Sequence, residues 1–391
     1  MKVAVVGGGP SGSSAAYSLA RAGIETYLLE RRLQGEKACA GGLPPLTISE
    51  YHLPPRILER RVRQIQLFAP SGRSVLISLR HGFIGTTSRS TLDSYLRRRA
   101  EEAGAILMEA HCFSFRQTRE RVFLRCRVPG GEMELEADLV VAADGAHSTI
   151  ASQLGWRPQV MLSTLQEQIE LPPEGMAGFA DRCEGYLDTR ISPDFAGWIF
   201  PKRSHITLGL ATHSSRRHSL PSLLARFKEL LGERLKGGIV RRREACPLPL
   251  RPLPEWVKGR ILLVGDAAGL VFPLTGEGIY NALKSGEMAA QSILAFRDSG
   301  DPDRLHDYQR QWGLRTFHLL QKVQDLYYRD DASRERLVSL CGQPALQEVA
   351  LELVLYRKLS LPLLSRLFSG LGLSRSPSIP PQPTLPQSDL S

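Results

Sequence analysis

The sequence predicts a mixed α/β fold: a Rossmann-type nucleotide-binding domain that carries a β-rich second domain and C-terminal helices. Three observations predict it. The chain opens as strand, glycine turn, helix, strand, acid. Two later apolar runs, Val140-Val141-Ala142-Ala143-Asp144-Gly145 and Ile261-Leu262-Leu263-Val264-Gly265-Asp266, each read as a buried strand ending in a turn. Between them lies a stretch from about 160 to 250 that reads as strands with one helix.

The opening unit carries the most chemistry. Residues 2–6 form the strand and Gly7-Gly8-Gly9-Pro10-Ser11-Gly12 the turn; residues 13–22 form the helix, and residues 25–30 the second strand, ending at Glu30. In G-x-G-x-x-G, Gly7 makes the tight turn, Gly9 lets backbone approach a pyrophosphate, and Gly12 lets helix pack on strand. The phosphates sit at the positive end of the helix. A carboxylate at Glu30 accepts ribose hydroxyls and repels a 2′-phosphate, so NAD or FAD fits and NADP does not.

A loop follows, Lys37-Ala38-Cys39-Ala40-Gly41-Gly42-Leu43-Pro44, and residues 61–79 then alternate as strands around Pro70-Ser71-Gly72. A helix begins near Arg89 and carries Leu92, Tyr95, Leu96 and Ala100 at helical spacing up to Gly104. Strands are expected at 105–115, 121–128 and 132–143, then at 195–200 and 205–212, with a helix at 221–235. A helix follows from about Gly278 to Phe296, and residues 303–373 read as mostly helical. The resulting division is a discontinuous nucleotide-binding domain (1–50, 80–160, 255–300), a β-rich domain (51–79, 161–254), a helical region (301–373) and a disordered tail rich in proline and serine (374–391).

Composition narrows the function. The chain has 391 residues, 42% hydrophobic and 23% charged, ordinary for a globular protein large enough for several domains. With 50 Lys+Arg against 40 Asp+Glu its formal charge is +10, which favours anionic partners. Nucleic acid is excluded as a partner. The clusters Arg97-Arg98-Arg99 and Arg241-Arg242-Arg243 lie far apart without interleaved aromatics and read as solvated faces. The six cysteines form no C-x-x-C pair and have no histidine at metal spacing, so no metal site is expected. Met1 runs straight into the first strand and no run of about 18 apolar residues exists, which predicts a cytoplasmic chain without a signal peptide or a membrane span.

The Gly7–Gly12 turn with Glu30, Arg89, Asp144-Gly145, and Gly265-Asp266 with Pro273-Leu274-Thr275-Gly276-Glu277-Gly278-Ile279 resemble the FAD-binding pattern of p-hydroxybenzoate hydroxylase-like flavoproteins. Within that group the chain is similar to geranylgeranyl reductases, particularly the chlorophyll-biosynthetic branch. The likeness rests on Lys37-Ala38-Cys39, on Ser192-Pro193-Asp194-Phe195 with Trp198-Ile199-Phe200-Pro201-Lys202, on Gly276-Glu277-Gly278-Ile279-Tyr280, and on Tyr327-Tyr328-Arg329-Asp330-Asp331-Ala332-Ser333-Arg334. It implies FAD held by Gly7, Gly9, Ser11, Gly12, Glu30, Arg31, Cys39, Ala40, Gly42, Arg89, Cys112, Asp144, Asp266, Gly276, Gly278 and Ile279. It also implies a substrate channel with Trp198, Phe200, Pro201 and Tyr280, and Cys39 as the catalytic candidate beside the flavin.

The activity so implied is reduction of isolated double bonds in a geranylgeranyl chain, on the diphosphate or on the esterified pigment, with NADPH or reduced ferredoxin as donor. The rival readings are a flavin monooxygenase or halogenase on the same scaffold, an archaeal-type geranylgeranyl lipid reductase, and a noncatalytic flavoprotein. Two departures from the family pattern bear on substrate: its C-G-G reads Cys39-Ala40-Gly41, and its Tyr-x-Trp-x-Phe-Pro-x7-Gly-x-Gly has Ala196 for Tyr and Ala211 for the last Gly. The leucine-rich stretch 351–373, with Arg357, Lys358 and Arg366, reads either as an interfacial contact with a photosynthetic membrane or as a helical cap on the substrate domain.

Overall fold

The computed structural model describes residues 1–35, 37–156, 161–213 and 219–358. The expected tail at 374–391 and the part of the leucine-rich stretch beyond 358 lie outside them. One six-stranded sheet runs in the order Val257–Lys258, Ile261–Leu263, Leu139–Ala142, Lys2–Val6, Glu25–Glu30, Ile106–Glu109. Every neighbouring pair in it is parallel except the edge pair Val257–Lys258 with Ile261–Leu263. Residues 139–142 and 261–263 are fully buried, as strands of a parallel sheet covered on both faces must be.

The first helix is Pro10–Arg21, starting earlier than the expected Ser13. Proline suits the first helical turn because its missing N–H has no intrahelical partner there. Helix Ile279–Ser299 crosses it at close range: a Cβ on Gly286 would stand 2.1 Å from the Ser11 carbonyl oxygen.

Two expected strands each divide in two. Residues 105–115 become Ile106–Glu109 and His111–Gln117, and residues 132–143 become Gly131–Ala137 and Leu139–Ala142. The breaks are the points where the chain passes between the parallel sheet and a three-stranded antiparallel one. Ala110 N–H donates to the Glu30 carbonyl at 2.9 Å, and the Asp138 carboxylate accepts from Lys2 N–H at 2.6 Å. Hydrogen bonding at these two residues therefore belongs to the large sheet, while the chain after Ala110 and the chain before Asp138 belong to the small one. Periodicity cannot show such a change of partner.

The β-rich domain is a seven-stranded sheet in the order Ile239–Pro249, Met161–Glu170, His205–Thr212, Gly197–Pro201, Arg182–Tyr186, Gln64–Phe68, Ser74–Ser78. Three of these strands, Met161–Glu170, Arg182–Tyr186 and Ile239–Pro249, were not individually expected, and the fourth begins at Gly197 rather than Phe195. Helix Leu220–Leu231 covers one face through Leu223, Leu224 and Phe227. A small sheet of Gly42–Leu43, Ile84–Thr86 and Arg60–Val62 adjoins the Gly197–Pro201 strand, since Thr86 Oγ1 donates to the Pro201 carbonyl at 2.8 Å.

Helices Leu314–Tyr327, Asp331–Cys341 and Pro344–Tyr356 close the chain as described. Arg334 is fully buried and donates to the carbonyls of Ser192 (2.8 Å), Pro193 (3.0 Å) and Tyr328 (2.9 Å), while Asp330 caps its helix by accepting from Ser333 N–H at 2.7 Å. The family-specific stretches around 192–195 and 327–334 are thus two halves of one contact. Arg334→Leu leaves those carbonyls buried and unmatched, and is expected to cost about 2–4 kcal/mol in urea unfolding. Arg73→Leu, which breaks an exposed pair with Glu335, is expected to cost no more than about 0.5 kcal/mol.

Candidate functional site

The glycine turn is built for close approach. Gly7 holds φ +106°, its N–H donates to the Leu29 carbonyl at 2.7 Å, and a Cβ there would stand 2.3 Å from the Ala143 carbonyl oxygen. A Cβ on Gly12 would stand 1.8 Å from the Gly7 carbonyl oxygen. At Gly9, by contrast, a Cβ would meet only the Arg89 guanidinium, at 3.7 Å. The helix start at Pro10 with Ser11 in its first turn, the open backbone of Gly9 and a buried cation beside it make an anion seat. Arg89 forms a two-point pair with Asp93 at 2.9 and 2.8 Å. Burial works against its charge, but Asp93 more than offsets this and holds its pKa above the ordinary arginine value.

Glu30 ends the second strand as expected, and its carboxylate accepts from Gly8 N–H at 2.7 Å and Arg32 N–H at 3.1 Å; Arg31 beside it is exposed. Arg97 corrects the expected solvated face: it is buried and donates to the Gly8 carbonyl at 3.2 Å and the Leu33 carbonyl at 2.9 Å. Its position within a run of three arginines hid this role. Arg99 donates to the Tyr51 carbonyl, whereas Arg241 and Arg243 pair with glutamates from exposed positions, as a solvated face would. Cys112 sits in the core opposite Cys126 in the three-stranded sheet, which leaves its backbone rather than its thiol for any cofactor contact.

Asp144 and Asp266 follow the two apolar strands. One Asp144 oxygen accepts from Thr149 and Ile150 N–H at 2.8 and 3.2 Å; the other is buried without a partner, and burial raises the pKa of the group. Asp266 accepts from Lys37 Nζ at 2.8 Å. Burial disfavours the Asp266 charge, but Lys37 and Arg89 outweigh it and lower the pKa; Asp266 in turn raises that of Lys37. Gly278, the N-cap of helix Ile279–Ser299, lies against Asp266, since a Cβ on it would stand 3.4 Å from Asp266 Oδ1.

Residues 37–43 are gripped from both domains. Gln166 Nε2 donates to the Cys39 carbonyl at 3.2 Å, Cys246 Sγ to the Ala38 carbonyl at 3.5 Å, and Gly41 N–H points at Cys39 Sγ at 3.3 Å. Gly41 carries φ +70° and its Cβ would stand 2.0 Å from the Thr87 carbonyl oxygen, so the left-handed turn falls on a glycine and Ala40 needs no positive φ. The departure at Ala40 therefore leaves the loop intact. A Cβ on Gly42 would stand 2.4 Å from the Phe200 ring, which rests on this glycine.

Above this loop lies an apolar cavity of about 450 Å³. Cys39, Ala40 and Gly42 line one part with Gly276, Gly278 and Ile279; Trp198, Phe200 and Ala196 line another, and the C-terminal helices and further strands of the β-rich sheet also contribute. Among the described lining residues there is no lysine or arginine. Of the expected substrate residues, Trp198 and Phe200 face the cavity, but Pro201 and Tyr280 are not in its lining. The Pro201 carbonyl is taken by Thr86, and the Tyr280 hydroxyl donates to Glu50 at 3.0 Å. Gln166, Cys246 and Thr164, which sequence reading did not single out, do line it.

The glycine cradle, the buried cation at Gly9 and the unpartnered Asp144 oxygen fit a dinucleotide, and the loops at 37–42 and 276–279 meet at the cavity. This is an FAD-dependent flavoprotein fold, and the sequence profile described as FAD binding domain matches residues 1–43 and 73–321. The chain belongs to the geranylgeranyl diphosphate reductase family. It is 38% identical over 376 residues to the Geranylgeranyl diphosphate reductase of Synechocystis sp., covering 91% of this chain and 92% of that one. It is 35% identical over 390 residues to the chloroplastic Geranylgeranyl diphosphate reductase of Oryza sativa subsp. japonica, covering 92% and 82%. The same fold is seen in a geranylgeranyl bacteriochlorophyll reductase-like crystal structure from Thermoplasma acidophilum, with TM-score 0.82, 23% identity and coverage of 94% and 98%.

The Lys37–Asp266 pair gives a pH test. A carboxylate whose folded pKa is lowered contributes stability above its unfolded pKa, about 3.9, and loses it as pH falls through the lower folded value. Asp266→Asn is expected to lower the melting temperature at pH 7, with the gap to the parent closing only under acid conditions below about pH 4.

Proposed function

We propose that this protein reduces isolated double bonds of a geranylgeranyl chain, carried on the diphosphate or on an esterified chlorophyll pigment, in chlorophyll biosynthesis. The observation that carries the reading is the apolar cavity, free of lysine and arginine among its described lining residues, ending at Cys39 and the 276–279 loop. Such a site suits a hydrocarbon tail and leaves a charged or bulky head group outside. The relatives named above support the same substrate class.

FAD, when bound, supplies hydride to one alkene carbon. The residues proposed to hold it are Gly7, Gly9, Ser11, Gly12, Glu30, Arg31, Arg89, Asp144 and Asp266, with Ala40, Gly42, the Cys112 backbone, Gly276, Gly278 and Ile279 shaping its surroundings. Trp198 and Phe200 hold the tail and, with the rest of the lining, keep water from the reacting carbons. The second carbon needs a proton, and Cys39, a residue of the cavity wall, is proposed to steer it. Electrons come from NADPH or reduced ferredoxin; the formal charge of +10 suits an acidic protein donor. The domain division at 1–50, 80–160 and 255–300 against 51–79 and 161–254 separates these two tasks, cofactor holding and tail holding. Among the described residues no helix is long and apolar enough to cross a membrane; a peripheral contact with the photosynthetic membrane is proposed only as the route for a lipid-like substrate.

Anaerobic incubation of the chemically reduced holoprotein with geranylgeranyl diphosphate is expected to give products heavier in steps of two hydrogens by mass spectrometry. Cys39→Ala is expected to keep its FAD and slow that reaction by about 100-fold, the scale of a lost proton-transfer group. Oxygen-dependent hydroxylation with no saturated product would instead mark a monooxygenase.

A further inference from the structure

The last described helix, Pro344–Tyr356, is a wall of the apolar cavity rather than a remote cap: Leu346, Ala350, Leu351, Leu353, Val354 and Leu355 all line it. Just past its end sits Arg357, in the left-handed region at φ 55°, a conformation that a residue with a side chain adopts at a cost. Its guanidinium is buried. One nitrogen donates to the Val354 carbonyl at 2.5 Å, another pairs with the Glu277 carboxylate, and the plane lies 3.6 Å from the Phe272 ring centroid. A charge desolvated this far is held by all three partners together.

Glu277 is the middle of Gly276-Glu277-Gly278, the loop that lines the cavity on the cofactor side. Its other oxygen accepts from Tyr280 N–H at 2.8 Å, in the first turn of the helix that Gly278 caps. Gly276 holds φ +70° and Gly278 abuts Asp266, so this loop has little internal freedom and its carboxylate is its handle. A second tie, from the Tyr356 hydroxyl to the His81 carbonyl at 2.8 Å, holds the end of the same helix to the segment just before strand Ile84–Thr86.

We propose that Arg357 is a positioning residue for the reaction: acting through Glu277, it sets the 276–278 loop on the cofactor side and fixes the last helix as a wall of the isoprenoid site. The tail-binding wall and the cofactor loop are thereby one mechanical unit, which rests on reading the cavity as the isoprenoid site.

A double-mutant cycle on the holoenzyme tests this, with kcat and KM measured for geranylgeranyl diphosphate reduction and the visible spectrum of bound FAD recorded for each variant. Arg357→Met is expected to retain FAD, shift its spectrum, and raise KM by about tenfold, with Arg357→Lys restoring part of the loss. In Arg357→Met/Glu277→Gln the KM penalty is expected to be smaller than the product of the two single penalties, since neither buried charge is left alone. Penalties that simply multiply, or a lowered melting temperature with unchanged KM and spectrum, would overturn the proposal. If Arg357→Met does not fold, Arg357→Lys and Glu277→Gln carry the same readouts. Should the parent itself reduce no isoprenoid, the functional reading fails, while an uncoupled FAD spectrum in the Arg357 and Glu277 variants would sink the positioning role separately.

Discussion

The apolar cavity and the glycine turn meet at residues 37–43, and the arrangement of both depends on how that segment is held. The segment leaves the nucleotide-binding domain, and neither domain alone fixes it. Asp266 takes Lys37 from the cofactor side, Gln166 and Cys246 take the Cys39 and Ala38 carbonyls from the β-rich sheet, and Gly41 and Gly42 press against Thr87 and Phe200. Because these partners come from strands far apart in sequence, the loop records the relative position of the two domains. The role proposed for Cys39 needs that fixity, since small displacements of reacting groups cost rate steeply.

The charges are arranged to match. Arg89, Arg97 and Lys37 lie around the glycine turn and Asp266, each matched to a carboxylate or a carbonyl. The adjoining cavity keeps lysine and arginine out of its described lining. One side of the loop is therefore polar and anion-seeking, the other apolar and dry. That division suits the proposed binding of a hydrocarbon tail with its head group left outside.

Much of this was legible in the sequence. The glycine spacing, Glu30, Arg89 and the two strand-ending aspartates belong to local motifs whose physics is complete within a few residues, and the structure places them around one seat. What stayed hidden depends on distant partners. Arg97 reads as one of three surface arginines until the fold turns it onto the Gly8 carbonyl. The strands at 105–115 and 132–143 read as continuous because alternation survives a change of sheet. The motif does not say which residue of Cys39-Ala40-Gly41 takes the positive φ; it is Gly41, so Ala40 fits without strain. Pro201 and Tyr280 neighbour cavity residues in sequence but are spent on Thr86 and Glu50.

In the proposed function the 37–43 loop and the Phe200 ring together form the reactive end of the tail-binding cavity. Gly42→Ala tests it most directly, because the added methyl must push the ring into that cavity. The measurement is single-turnover reduction of geranylgeranyl diphosphate by the FAD-loaded variant, beside Gly42→Ala/Phe200→Leu. Normal FAD content is expected, with saturated product falling by about tenfold or more in the single variant and recovering when the smaller leucine vacates the space. A Gly42→Ala protein that turns over at the parent rate would contradict it.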